Sequence, residues 1–143
     1  MKKYNILVTG GFGFIGSNFI KYLYDNFKNA HVVNLDCLTY AANKENLLNI
    51  PKSFHSHIKG DVCDQKLIRN LFSDYNFNFV INFAAESHVD RSIDDPSKFI
   101  KTNIFGTYVL LEESLFSFRT KKSNLLKFIH ISTDEVFGSL GDN

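Results

Sequence analysis

Short apolar runs alternate along this chain with longer segments of helical periodicity. Tyr4-Asn5-Ile6-Leu7-Val8-Thr9 favours β structure and ends in glycines, the pattern of a buried strand entering a tight turn. From Phe14 onward, Ile15, Phe19, Leu23 and Phe27 recur at four-residue steps, which predicts a helix with one stripe packed on a sheet. His31 to Leu35 predicts a second strand. A polar loop follows, with a short helix near Asn43 to Leu48, and Phe54 to Ile58 predicts a third strand. Asp64 stands where an N-cap would open a helix whose inner face is Leu67, Ile68, Leu71 and Phe72. Phe79 to Phe83 predicts the fourth strand. Asp95-Pro96 reads as cap and first helical residue, with Phe99, Ile100, Asn103, Ile104, Tyr108, Leu111 and Leu115 as that helix's stripe. Lys127 to Ser132 predicts the fifth strand.

Strands and helices alternating at this spacing imply βαβ units, whose right-handed crossovers place helices on both faces of a parallel sheet. The expected fold class is α/β, a doubly wound parallel sheet cut short after about the fifth strand. No repeat and no Pro/Gly-rich linker divides the 143 residues, which suffice for one core, so residues 1–143 read as one domain. A formal net charge of +1, with scattered Lys and Arg, gives no electrostatic footprint for nucleic acid or an anionic membrane surface. The apolar runs fall short of the roughly 20 residues a membrane helix needs. Cys37 and Cys63 lack metal-type spacing and Met1-Lys2-Lys3 runs straight into a strand, so both read as reduced thiols of a cytoplasmic protein.

Chemistry enters at Gly10-Gly11-Phe12-Gly13-Phe14-Ile15-Gly16, a G-x-x-G-x-x-G spacing where the first strand meets its helix. A tight turn, close backbone approach to a diphosphate and close packing of helix on strand all favour glycine there, and the helix offers its positive end. Asp36 ends the second strand 20 residues beyond Gly16, where a carboxylate accepts ribose hydroxyls and repels a 2′-phosphate. The pair favours NAD over NADP. Gly60-Asp61-Val62 fits either a loop bordering the adenine or a plain turn.

The glycine spacing resembles the extended short-chain dehydrogenase/reductase superfamily. Within it, Asp36-Cys37-Leu38-Thr39-Tyr40-Ala41, the Phe83 to Ser92 stretch, Thr102-Asn103-Ile104-Phe105-Gly106-Thr107 and Ile131 to Gly138 are together similar to dTDP-glucose 4,6-dehydratases. The likeness spans nearly the whole chain and less than half of a typical family member. It implies an incomplete NAD-binding Rossmann domain without the C-terminal substrate domain. It also implies dehydration of dTDP-glucose to dTDP-4-keto-6-deoxyglucose, in deoxysugar biosynthesis, with NAD reduced and reoxidised in each turnover. By this resemblance Gly10, Gly13 and Gly16 hold the diphosphate, Phe12 and Ile15 line it, and Asp36, Cys37, Leu38 and Thr39 hold the adenosine ribose. Asp61 and Val62 meet the adenine. Phe83, Ala84, Ala85, Ser87 and Thr102 run beside the cofactor, and Ser87 also approaches the substrate. Thr133 bonds the sugar near C4, Asp134 protonates the departing C6 hydroxyl, and Glu135 removes the C5 proton. Elimination of water needs such an acid and base on neighbouring atoms, and side chains of an extended segment would flank the ring from two directions. Cys37 stands where the family often has Lys, and Phe137 where it has Tyr.

The superfamily's Tyr-x-x-x-Lys pair, which takes the C4 hydroxyl proton, belongs to a helix beyond Asn143, so turnover by these residues alone is not expected. Tyr24/Lys28 and Tyr40/Lys44 match the spacing by chance and lie too early in the fold. An epimerase or reductase of the same superfamily, or a non-catalytic NAD-binding remnant, are the rival readings; Thr133-Asp134-Glu135 separates the first. His55-Ser56-His57 reads as a polar strand face without a third metal ligand, His88 as a loop hydrogen-bonding residue, and Asp90, Asp94 and Asp95 as caps. A homodimer through the helix near Pro96, and self-association of an uncovered sheet edge, complete the expectations.

Overall fold

The computed structural model describes residues 3–87, 93, 95–120 and 124–138; His88, Asp90 and Asp94 lie outside the described residues. In chain order the elements are β1 (Tyr4–Thr9), α1 (Phe14–Asn26), β2 (Ala30–Asp36), a 3-10 turn (Lys44–Leu47), β3 (His55–Lys59), α2 (Gln65–Tyr75) and β4 (Phe79–Asn82). There follow α3 (Pro96–Phe99), a π-helical stretch (Ile100–Gly106), α4 (Thr107–Arg119), β5 (Lys127–His130) and a 3-10 turn (Asp134–Phe137). The strands form a parallel sheet of order β3-β2-β1-β4-β5. The order reverses between β1 and β4, where doubly wound sheets open a crevice at the carboxyl ends of their strands. The α/β expectation holds.

Period-two alternation splits the core in two. Leu7, Val33, Leu35 and Val80 pack with Ile68, Leu71 and Phe72 of α2 and with Val109 and Leu110 of α4. On the other face Ile6, Val8, Val32 and Ile81 pack with Ile20 and Leu23 of α1 and with Leu47. Each such side chain, fully buried, contributes about 1.5–3 kcal/mol. Local signals set the helix starts: Asp64 accepts from the Leu67 N–H, and Asp95 from the Ser97 N–H ahead of Pro96 at the first helical turn.

Two expected stripes are corrected. In α1 the buried residues are Gly16, Ser17, Ile20 and Leu23, while Ile15 and Phe27 are exposed, because only small residues allow this helix its close approach to the glycine loop. In the Pro96–Arg119 region, Ile100, Ile104, Tyr108, Leu111 and Leu115 face outward. Gly106, Val109, Leu110, Glu113, Ser114 and Ser117 face inward, since a Cβ at Gly106 would meet the Val62 side chain. The buried Glu113 carboxylate is held by Arg69, at 2.7 and 2.9 Å, and by Gln65, and the Arg69 guanidinium keeps it below the usual carboxylate range.

The Tyr24/Lys28 match is structural: the Lys28 ammonium donates to the Tyr24 carbonyl at 2.7 Å and lies over its ring. On the strand face expected to be polar His57 is exposed, but His55 is buried, with the Phe12 ring against it. That burial, with His57 and His31 nearby, pushes its imidazole from 6.5 down to about 4. The unfolded chain therefore binds more protons between those values, and stability rises with pH across them. The contribution is complete above the unfolded value and is withdrawn as the pH falls through about 4. It amounts to at most ~3 kcal/mol. Melting curves over this range should show the acid loss, and His55→Phe should flatten it.

Candidate functional site

The carboxyl ends of β1, β2, β3 and β4 surround a cavity of about 310 Å³. Gly10 opens it. Its φ of +66° is the left-handed region, and a Cβ there would lie 2.9 Å from the Ala84 nitrogen, so β1 and β4 meet backbone to backbone at the switch point. A Cβ at Gly16 would fall on the Gly10 carbonyl. Gly13 is the N-cap of α1 and supplies no side-chain cap, and the first turn holds no acid. The first-turn N–H groups thus face the cavity end without a side-chain acceptor, an arrangement suited to an anion.

Asp36 forms the opposite wall and is only 6% exposed. One oxygen accepts from the Phe12 N–H at 2.9 Å and the other from the Leu38 N–H at 2.8 Å. Each carboxylate oxygen keeps further lone pairs for a ligand. Cys37, Thr39, Asp61 and Val62 continue this wall, and Phe83, Ala84, Ala85 and Thr102 close the other.

Most residues expected at the site therefore meet around one cavity, and some do not. The Phe12 ring is buried beneath the loop, Ile15 projects outward, Leu38 packs on the α1 side of the core, and Gly16 acts through packing. Ser87 is exposed beyond the cavity wall. Thr133 is exposed past β5, whose last ladder bond runs from the Ile131 N–H to the Asn82 carbonyl. Asp134 and Glu135 lie in a 3-10 turn rather than the extended segment expected, because the β4–β5 ladder ends at Asn82 and His130; their side chains lie outside the described residues. Among the described residues no group of three His, Cys, Asp or Glu is placed to hold a metal ion, and no helix is long and apolar enough to cross a membrane. Both cysteines are free thiols; burial pushes Cys37 up and Cys63 up to about 11.

A family model described as GDP-mannose 4,6 dehydratase matches residues 7–143. The chain belongs to that family. Its resemblance to dTDP-glucose 4,6-dehydratases holds as well: the enzyme of that name from Salmonella typhimurium is 47% identical over 139 residues, 94% of this chain and 38% of the relative. The dTDP-glucose 4,6-dehydratase of Streptomyces venezuelae, solved with NAD, superposes with a TM-score of 0.82 at 38% identity, covering 97% of this chain and 42% of that one. The UDP-glucose 4-epimerase of Thermotoga maritima, solved with UDP-glucose, gives 0.76 at 36%, covering 90% and 38%. The chain thus spans about two-fifths of the length of the relatives it matches.

In this member of the GDP-mannose 4,6 dehydratase family, three asparagines unforeseen from the motifs support the cavity, Asn34 and Asn82 buried and Asn103 half-buried. Asn34 Oδ1 accepts from the Gly11 N–H at 3.0 Å. The Thr9 hydroxyl donates to Asn82 Oδ1 and accepts from the Ala84 N–H. Asn103 grips the Glu86 backbone from both sides, at 2.8 and 2.9 Å, tying the loop after β4 to the π-helical stretch. The available signal was asparagine inside apolar strand runs, where it is disfavoured unless it has work for its amide. Lys98, Lys101 and Glu86 also line the cavity, and Lys101 reaches Asp61 at 3.8 Å.

Proposed function

We propose that this chain is the NAD-binding part of a nucleotide-sugar 4,6-dehydratase acting on dTDP-glucose. The observation that supports it is Asp36, buried, held by two N–H groups and facing a glycine turn that has no room for a Cβ. These residues fit the cofactor. The diphosphate would lie at the first-turn N–H groups of α1, where Ile15 contributes its backbone and not its side chain. The ribose hydroxyls would donate to Asp36, and the adenine would lie along Asp61 and Val62. NAD, when bound, supplies the acceptor for the hydride from C4 of the sugar.

The C4 hydroxyl proton would go to the Tyr-x-x-x-Lys pair of the remaining segment, and this chain's own residues would serve the elimination. Thr133 would bond the sugar near C4, Glu135 would take the C5 proton made acidic by the 4-keto group, and Asp134 would protonate the departing C6 hydroxyl. Ser87, at the end of the loop held by Asn103, would approach the substrate. The outward apolar face of Ile100, Ile104, Tyr108 and Leu111 would be covered in a homodimer.

A second reading, a 4-epimerase, is favoured by the likeness to the Thermotoga maritima enzyme. The two differ in whether water leaves. The 143 residues alone should take up NAD and form no 4-keto product from dTDP-glucose, for want of the Tyr-x-x-x-Lys pair. Fused to the remaining segment of the Salmonella typhimurium relative, the chain should form that product. Glu135→Gln should slow it about a thousandfold while NADH accumulates. Interconversion of 4-epimers without loss of water would favour the second reading instead.

A further inference from the structure

Phe12 joins two parts of the molecule that its backbone alone would not connect. Its N–H holds Asp36 Oδ2, and its carbonyl accepts from the Asn43 N–H at 2.9 Å. Its ring, 3% exposed, reaches the edge strand β3, where it meets His57 at 5.2 Å between centroids and His55 at 6.1 Å, both edge to face. His55 is buried, and its Nε2 bonds to no described protein group, although buried polar atoms almost always find a partner. Hydrogen bonding at Nε2 therefore does not account for this imidazole; its contact with Phe12 does. His55 and His57 share one face of β3 because they are two residues apart, so together they bracket a single ring.

We propose that His55 and His57 are positioning residues for the adenosine ribose of the cofactor, acting through Phe12 on Asp36. The inference rests on the NAD reading above. With the ring wedged against both imidazoles, the Phe12 N–H points at the carboxylate in only one direction, and the lone pairs left to Asp36 are aimed into the cavity. A carboxylate held by the Leu38 N–H alone would lose more for NAD, whose 2′-hydroxyl donates to it, than for NADP, whose 2′-phosphate it repels in any orientation. The bracket therefore sets discrimination between the two dinucleotides as well as affinity.

The test is calorimetric titration of the 143-residue protein with NAD and NADP, beside thermal melting, for wild type, His57→Ala, His57→Phe and Phe12→Ala. His57 is exposed, so its truncation leaves no internal cavity. His57→Ala should melt near wild type, weaken NAD about fivefold and leave NADP nearly unchanged. His57→Phe, which restores an aromatic edge, should recover NAD affinity, and Phe12→Ala should narrow the NAD/NADP ratio further. Equal losses for both dinucleotides, an unchanged ratio, or NAD affinity that merely follows melting temperature would overturn the inference while leaving the cofactor reading intact. Failure of the folded wild type to take up NAD would overturn both.

Discussion

Asp36→Ala should weaken NAD binding about a hundredfold, the worth of two hydrogen bonds to a charged acceptor. The same change should bring NADP closer to NAD, because the charge that repels a 2′-phosphate goes with it. The carboxylate is also structural: its removal strands the Phe12 and Leu38 N–H groups, both bonded to it at under 3 Å. A stability loss of about 1–3 kcal/mol should accompany the binding loss. Asp36→Asn should be no milder, since its amide nitrogen would turn a donor toward one of two N–H donors. Binding isotherms for both dinucleotides, beside denaturant midpoints, separate the two effects.

Gly10→Ala should cost about 2–4 kcal/mol of stability and a further loss of NAD affinity. Two costs add. The left-handed φ disfavours any Cβ, and this Cβ would lie 2.9 to 3.0 Å from backbone atoms of Phe83 and Ala84, which cannot swing aside as a side chain would. Gly138 provides the control, with a φ of +82° and nothing within 4 Å of its would-be Cβ. Gly138→Ala should therefore cost only the conformational part, about 1–2 kcal/mol. Urea denaturation of the pair measures the difference, which isolates the crowding of β1 against β4.

The order of elements was legible because its signals are local. Asp64 and Asp95 cap the helices they precede, and the strands fall within a residue or two of the apolar runs. Which face of a helix packs was not legible. Phe14, Ile15, Ile104 and Leu111 are exposed although apolar, while Gly16, Ser17, Gly106 and Ser114 are buried, Gly16 close against the glycine loop and Gly106 against Val62. Periodicity finds a stripe and does not say which stripe the sheet requires.

The glycine turn and Asp36 could be read directly, since each is a residue type demanded by backbone geometry or charge. Asn34, Asn82 and Asn103 could not, because their amides bond to the Gly11 N–H, the Thr9 hydroxyl and the Glu86 backbone, 23, 73 and 17 residues away, contacts that exist only once the chain has folded. His55 and His57 were visible as an alternating pair, but their partner was Phe12, more than 40 residues earlier in the chain.

Titration of the folded chain, freed of endogenous nucleotide, with NAD in a calorimeter addresses the proposed dinucleotide site most directly. Saturable single-site uptake, sharply reduced in Asp36→Ala, is the predicted result. A chain that is demonstrably folded and takes up no NAD, or takes it up equally well without the Asp36 carboxylate, would contradict it.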